Sequence, residues 1–168
     1  DSVKATVGAR WVKDEKDFQL DFQYRFAPIP AERVIRTGDF DELTPKFGID
    51  WTVDADWADS LLVYGSAARG FKSGGFNGIN IFNAVIARTV YDPESNWTYE
   101  VGTNMDLFGR TVRINAAAFF ADVKDIAMNS TVIIGGNVAF PVDNQGDAEI
   151  KGLELETTWV PVDNLTLF

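Results

Sequence analysis

The chain has 168 residues, of which 46% are hydrophobic, and a formal net charge of −10. This charge argues against binding to nucleic acid, because a phosphate backbone requires a basic protein surface. Cysteine and histidine are both absent, which excludes a disulfide framework and removes the commonest metal ligand and general base. We therefore expect no catalytic residues, no metal site and no cofactor, and we predict that the protein is not an enzyme.

The sequence contains no apolar run that approaches the roughly 18 to 20 residues of a membrane-spanning helix. Strands of a membrane barrel need only about 9 to 11 residues, and only every second side chain meets lipid. The aromatic content of 13% fits the aromatic girdles of such a barrel, and it also fits a soluble β core.

Alternation of apolar and polar residues predicts six long strands and the beginning of a seventh. The predicted strands are 2–12, 43–53, 61–70, 97–107, 111–123 and 149–159, followed by a start at Leu165. The second is the clearest, with Lys46 and Asp50 on its polar face. A polar barrel lumen accepts such charges, whereas the core of a soluble sandwich rejects them.

The connections between these strands alternate in length. Short turns are predicted at 54–59, 108–110 and 160–163, and long connections at 13–42, 72–93 and 127–144. Short turns at one end of the strands and long loops at the other are typical of an outer-membrane barrel, whose long loops are extracellular.

Within the long connections, the charge run 13–17 is expected to be solvated. The stretch 18–26 alternates weakly and extends a hairpin above the membrane, and the two prolines of 27–30 end it. The glycine pair 135–136 predicts a hairpin turn.

Seven strands are too few to close a natural single-chain barrel, which has at least eight. Open sheet edges are not tolerated in hydrocarbon. We therefore expect residues 1–168 to be part of a larger all-β, antiparallel, up-and-down transmembrane barrel domain, with its remaining strands outside this sequence.

The most unusual local stretch is 69–78, where the third strand enters a long connection. Its glycines permit close approach of a partner, its cations offer donors, and its phenylalanines offer flat apolar contacts. One interpretation is a ligand-contacting rim; the other is a glycine-rich bend that leads the strand into its loop or packs against something inside the barrel. A phosphate-binding loop is rejected, because no helix follows. The candidate ligand-binding residues are Arg69, Phe71, Lys72, Phe76 and Asn77.

Other polar clusters are better explained by solvation. Acidic groups occur at 14–17, 39–42 and 54–59, and none matches the twelve-residue calcium loop. Glu154 and Glu156 share one strand face and are expected to be lumen residues rather than a catalytic carboxylate pair.

A series of short motifs resembles the TonB-dependent outer-membrane receptors, particularly the iron–siderophore type. The matching stretches are 62–77, 93–94, 99–102, 113–120, 124–125, Asn144 and 150–156. The resemblance implies a 22-stranded barrel with an N-terminal plug domain, extracellular substrate binding, and energy supplied through TonB in the outer membrane of a Gram-negative bacterium. It also implies outer-membrane lipid and TonB, through the plug, as partners.

Three functional hypotheses remain open at the level of sequence. The leading one is TonB-energised uptake of a ferric siderophore or another small nutrient chelate. The second is a passive porin or a structural outer-membrane barrel. The third is a soluble secreted β-protein that binds carbohydrate.

Overall fold

The computed structural model describes residues 1–22, 32–78, 88–134 and 136–168. Within these ranges the chain forms thirteen strands. The seven that make up the large sheet are β1 (Ser2–Phe22), β2 (Glu32–Val53), β3 (Ser60–Lys72), β6 (Glu94–Leu107), β7 (Val112–Lys124), β12 (Ala148–Val162) and β13 (Leu165–Leu167). The six short ones are β4 (Gly75–Phe76), β5 (Val90–Tyr91), β8 (Ala127–Asn129), β9 (Val132–Ile134), β10 (Asn137–Ala139) and β11 (Val142–Asn144).

The large sheet is an antiparallel meander in the order β1-β2-β3-β6-β7-β12-β13. Each of its strands pairs with the next one of this sheet along the chain, which confirms the up-and-down topology. β1 lies at one end of the sheet and β13 at the other, so the barrel is not closed in this chain. None of the described residues forms a helix that is long and apolar enough to cross a membrane.

The first long connection, predicted at 13–42, is shorter in the structure than the sequence indicated. Residues 13–22 and 32–42 are strand, and β1 and β2 form one continuous hairpin from the Ser2–Thr52 pair to the Phe22–Glu32 pair. The charge run 13–17 therefore lies within β1, and 18–22 extend the hairpin as predicted. Residues 23–31, which include the proline segment 27–30, lie outside the described residues.

The other connections agree with the sequence more closely. The connection 72–93 contains β4 and β5, and 127–144 contains β8 to β11, of which β8 pairs with β11 and β9 with β10. Of the predicted glycine pair, Gly136 lies in a turn between β9 and β10, and Gly135 lies outside the described residues. β12 extends to Val162, so its turn is shorter than the predicted 160–163.

The two faces of the sheet have opposite chemistry, as the alternation predicted. One row of paired residues across β2 to β12 reads Ile49, Gly65, Val101, Ala118 and Leu153. The next row reads Asp50, Tyr64, Gly102, Ala117 and Glu154. The first row is apolar and the second carries the charges, so the sheet has one apolar and one polar face.

The apolar face is exposed rather than packed into a core. Leu153 is 86% exposed and Val7 is 76% exposed. Among the described residues, the buried hydrophobic side chains are only Val34, Phe40 and Ala139. A sheet whose apolar side chains have no protein partner fits a lipid-facing wall and does not fit a soluble sandwich.

The apolar band ends at an identifiable level on the side of the long connections. Trp11 pairs with Leu43, and the next outward pair is Lys13 with Asp41. On β6 and β7, Tyr99 stacks on Trp97 at 6.0 Å and on Phe120 at 6.4 Å, measured between ring centroids. These outward rings agree with the expected aromatic girdle, and the β1–β2 hairpin continues beyond Trp11.

Candidate ligand-binding site

Arg69 lies near the end of β3, where the ladder to β2 has already ended. The last β2–β3 pair is Lys46 with Ala68, and the next residue of β2 in that direction is Pro45, which has no amide hydrogen to donate. Arg69 crosses the opening gap, with one terminal guanidinium nitrogen 3.1 Å from Oε1 of Glu42. Its Nε atom is buried and has no hydrogen-bond partner among the described residues.

Phe71 and Lys72 complete β3 opposite β6. Phe71 is half-buried and pairs with Ser95, and Lys72 pairs with Glu94. The Lys72 Nζ atom lies 2.5 Å from Oε1 of Glu94, which also accepts a hydrogen bond of 3.1 Å from the amide of Ala127. Glu94 therefore joins the end of β3 to the start of β8.

Burial raises the pKa of the Glu94 carboxyl, but the hydrogen bonds from Lys72 and from the Ala127 amide outweigh it. The net effect is a pKa below its ordinary value. Lys72 remains 68% exposed, so its ammonium is available to an anion as well as to Glu94.

Phe76 packs against the β1–β2 hairpin. Its ring stacks on Phe18 at 5.5 Å and meets Phe40 edge-on at 6.4 Å. Lys16 lies beside this cluster: its Nζ atom is 5.4 Å from the Phe40 ring centroid and donates a 2.7 Å hydrogen bond to the carbonyl of Gly74. The aromatic cluster formed by Phe18, Phe40 and Phe76 thus attaches the connection after β3 to the first hairpin.

Close packing in this cluster depends on missing Cβ atoms. A Cβ at Gly74 would lie 2.4 Å from the backbone oxygen of Tyr91 and 2.6 Å from the Phe40 ring. The glycines of 74–75 are therefore required by close approach within the protein, which was the second of the two interpretations of this stretch.

Asn77 is 3% exposed and is fully engaged with other parts of the protein. Its Nδ2 atom donates to Oγ1 of Thr89 at 2.8 Å and to the carbonyl of Val142 at 3.0 Å. Its Oδ1 atom accepts from the amide of Val142 at 2.6 Å.

The five candidate residues thus have different surroundings. Lys72 is exposed, Arg69 and Phe71 lie along β3, and Phe76 and Asn77 bind other segments of the chain. The sequence interpretation missed two residues that pack against Phe76, namely Phe18 and Phe40. The alternation of 18–22 was a signal for the first, whereas nothing local in the sequence pairs the second with 69–78.

The arrangement brings charged, amide and aromatic binding groups together beyond the end of β3. Within the part of the chain that the structure describes, no three acidic side chains are placed to hold a metal ion. The charged groups nearby are paired: Lys124 donates hydrogen bonds to Asp122 and Asp147, which raises the pKa of Lys124, and Lys124 in turn lowers the pKa of Asp147. A rim of paired charges, exposed lysines and packed aromatic rings is suited to holding a ligand or a loop.

The family described as TonB dependent receptor-like, beta-barrel matches residues 1–168, the whole of the chain. The chain belongs to this family. Proteins of the TonB-dependent receptor family are receptors of the Gram-negative outer membrane, which agrees with the apolar band and the aromatic girdle.

Two solved structures have a similar fold. The ferric yersiniabactin uptake receptor FyuA from Yersinia pestis matches with a TM-score of 0.74 and 20% identity, over 96% of this chain and 22% of that one. A double mutant of the Serratia marcescens hemophore receptor HasR, in complex with its hemophore HasA and heme, matches with a TM-score of 0.59 and 17% identity, over 94% of this chain and 29% of that one. At these identities the similarity establishes the fold alone. The chain spans less than a third of the length of either receptor.

Proposed function

We propose that this chain is part of a TonB-dependent receptor that takes up a ferric siderophore, or a similar bulky nutrient chelate, across the outer membrane of a Gram-negative bacterium. The observation that carries the proposal is the family match over the entire chain. It is supported by a lipid-facing band and a polar face on one sheet, with the long connections gathered beyond the aromatic girdle.

Substrate binding in this proposal takes place on the extracellular side, where β3 leaves the band. Lys72 offers an exposed ammonium, and Arg69 carries a second cation beside Glu42. Ferric siderophores are often anionic, and charge-assisted hydrogen bonds from such cations are stronger than neutral ones. Phe71, which is half-buried on the same strand, supplies apolar surface.

The remaining partners follow from the family. A plug domain fills the lumen and transmits the action of TonB, lipid covers the apolar face, and nucleic acid has no basic surface to bind. The protein performs no covalent chemistry in this scheme.

Uptake of a labelled ferric siderophore by cells that produce the full-length receptor tests this function. We expect uptake to be lost when the receptor gene is deleted and also when TonB is deleted. Uptake that persists without TonB would indicate a passive porin and overturn the proposal. Extraction of the protein without detergent would instead indicate a soluble secreted protein.

Substitutions test the candidate residues separately. Lys72→Ala and Arg69→Ala are expected to weaken ligand binding to whole cells by about tenfold each, the effect of losing one charge-assisted contact. Lys124→Ala is the matched control, because Lys124 is also a cation paired with carboxylates at this end of the sheet. Equal ligand affinity in all three variants would show that Arg69 and Lys72 do not contribute to ligand binding.

A further inference from the structure

Two asparagine side chains join two separate segments beyond the aromatic girdle. We name the described residues between β3 and β6, 73–78 and 88–93, the middle segment, and those between β7 and β12, 125–134 and 136–147, the third segment. Asn77 of the middle segment bonds both backbone groups of Val142 in the third, accepting from its amide at 2.6 Å and donating to its carbonyl at 3.0 Å.

The second contact runs in the opposite direction. Asn144 of the third segment accepts from the amide of Asp92 at 2.7 Å and donates to the carbonyl of Asp92 at 2.9 Å. The same Nδ2 atom lies 2.6 Å from the carbonyl of Asp125. Each segment therefore contributes one amide that binds both polar backbone groups of one residue in the other segment.

These contacts matter because the segments have little regular structure of their own. The pairs β4–β5 and β8–β11 contain only two and three residues per strand. Hairpins this short are not stable in isolation. A side-chain amide replaces the missing ladder, because it presents a donor and an acceptor in the geometry of a backbone peptide group.

We propose that Asn77 and Asn144 form a paired latch, so that the middle and third segments open and close as one unit. Breaking either amide contact then loosens the other, although the two asparagines bind different residues. The latch is independent of which ligand the receptor takes up.

The latch also reaches the first hairpin. Asn77 directly follows Phe76, whose ring is held by Phe18 and Phe40. Glu94 adds a further link, because its carboxylate accepts a hydrogen bond from the amide of Ala127. The middle segment is therefore anchored on two sides, and its release requires both the aromatic cluster and the latch to yield.

The donor nitrogen of each asparagine can be removed without changing the shape of its side chain. Asn77→Asp replaces Nδ2 by an oxygen that faces the Val142 carbonyl, and Asn144→Asp does the same toward Asp92 and Asp125. An acceptor placed against a carbonyl forms no hydrogen bond and is repelled. Asn129→Asp is the matched control, because Asn129 is exposed and lies in β8, beside Val142.

Hydrogen–deuterium exchange of the full-length receptor in detergent micelles measures the coupling. In Asn77→Asp we expect exchange to rise about tenfold at the amide of Val142 and also at that of Asp92, which Asn77 does not touch. Asn144→Asp is expected to give the reciprocal result, and Asn129→Asp to leave both amides unchanged. If each variant affects only its own amide, or if the control behaves as Asn77→Asp does, the latch is disproved.

A chemical readout keeps the proposal testable if Asn77→Asp does not fold. Asn77–Gly78 is the one Asn–Gly pair in the sequence. In deamidation the Gly78 nitrogen forms a bond to Asn77 Cγ, the Cγ–Nδ2 bond breaks, ammonia leaves, and water opens the resulting ring. The closed latch opposes this reaction, because the Asn77 amide is held and the Gly78 amide donates to the Phe76 carbonyl at 3.1 Å.

Deamidation is followed by mass spectrometry of the peptide that contains Asn77. We expect it to be severalfold faster in Asn144→Asp than in the wild type or in Asn129→Asp, since losing one net hydrogen bond of about 1 kcal/mol opens the segment severalfold more often. Equal rates in all three proteins would overturn the coupling.

Discussion

The lipid-facing band and the assembly of segments above it are held together in different ways. In the band, β3, β6, β7 and β12 pair without a break in register, so the backbone supplies its own partners. Above it, two side-chain amides join the middle and third segments, and one aromatic cluster joins the middle segment to the first hairpin. Lipid cannot satisfy a backbone group, whereas water can, so only the upper region is free to depend on individual side chains. Substitutions should therefore act through polarity and volume in the band, and through single contacts above it.

The largest effect is expected from a charge on the lipid-facing side of the band. Leu153→Arg places a guanidinium at a position that is 86% exposed on the apolar face, at a cost of about 2–4 kcal/mol near the membrane midplane. Glu154→Arg is the control, because the adjacent side chain points to the polar face. The free energy of unfolding in denaturant, measured on the full receptor reconstituted in lipid, checks this difference. Equal destabilisation by the two variants would contradict the assignment of faces.

A smaller effect is expected from added volume on the polar face. A Cβ at Gly102 would lie 2.6 Å from the Tyr64 ring and 2.7 Å from the backbone oxygen of Ala116, which cannot move away as a side chain can. Gly102→Val should therefore cost about 1–3 kcal/mol of unfolding free energy. Gly8→Val is the matched control, since a Cβ at Gly8 meets nothing within 4 Å. A similar loss in both variants would show that strand glycines, not packing against Tyr64, set the stability.

The band was predictable from sequence because lipid and lumen impose opposite chemistry on alternate residues. That contrast disappears above the membrane, where both faces of a strand can meet water. The outward positions of β1 change there from Val7 and Trp11 to Lys13 and Glu15, which is why 13–42 was predicted as a connection. The packed side of the same hairpin keeps aromatic residues, Phe18 and Phe40. Only the structure shows that these two rings contact Phe76.

The contacts of the candidate site were less predictable, because they join distant parts of the chain. Asn77 and Val142 are 65 residues apart, and no local pattern relates them. The glycine-rich stretch 69–78 was identified as unusual, and the structure explains part of it by close packing against Tyr91 and Phe40. Whether Arg69 and Lys72 also contact a ligand stays a prediction.

Truncating the aromatic cluster should loosen the upper region without unfolding the band. Phe76→Ala removes the ring that stacks on Phe18 and meets Phe40. Truncation of a fully buried phenylalanine to alanine costs about 3–5 kcal/mol. Because Phe76 is only half-buried, we expect about 1–2 kcal/mol of local protection against exchange to be lost. Hydrogen exchange at 73–78 reports the change, with protection of β6 and β7 as the internal reference.

Phe108→Ala is the control for this substitution, because Phe108 is 77% exposed in the short turn after β6. It should leave the exchange at 73–78 unchanged. Loss of protection throughout β6 and β7 in Phe76→Ala would mean that the band and the upper region are one cooperative unit, contrary to the comparison drawn above.

The smallest effect concerns pH. The pKa of Glu94 is lowered in the folded protein, so its carboxylate contributes stability that is fully present above its ordinary pKa of about 4.3 and is lost as the pH falls through the lower folded value. Acidification through this window should break the contacts of Glu94 with Lys72 and the Ala127 amide. Exchange at Ala127 should then rise, by an amount equivalent to less than about 1 kcal/mol, because Lys72 is largely exposed.

Glu94→Gln isolates this contribution, since it keeps the shape of the side chain and cannot titrate. Asp147 also has a lowered pKa, through Lys124 and the Asp125 amide, and it titrates in both proteins. The difference between wild type and Glu94→Gln therefore belongs to Glu94 alone. If the two proteins respond to acid identically, the link between β3 and the third segment does not depend on the charge of Glu94, and the upper region is held by its neutral amide and aromatic contacts.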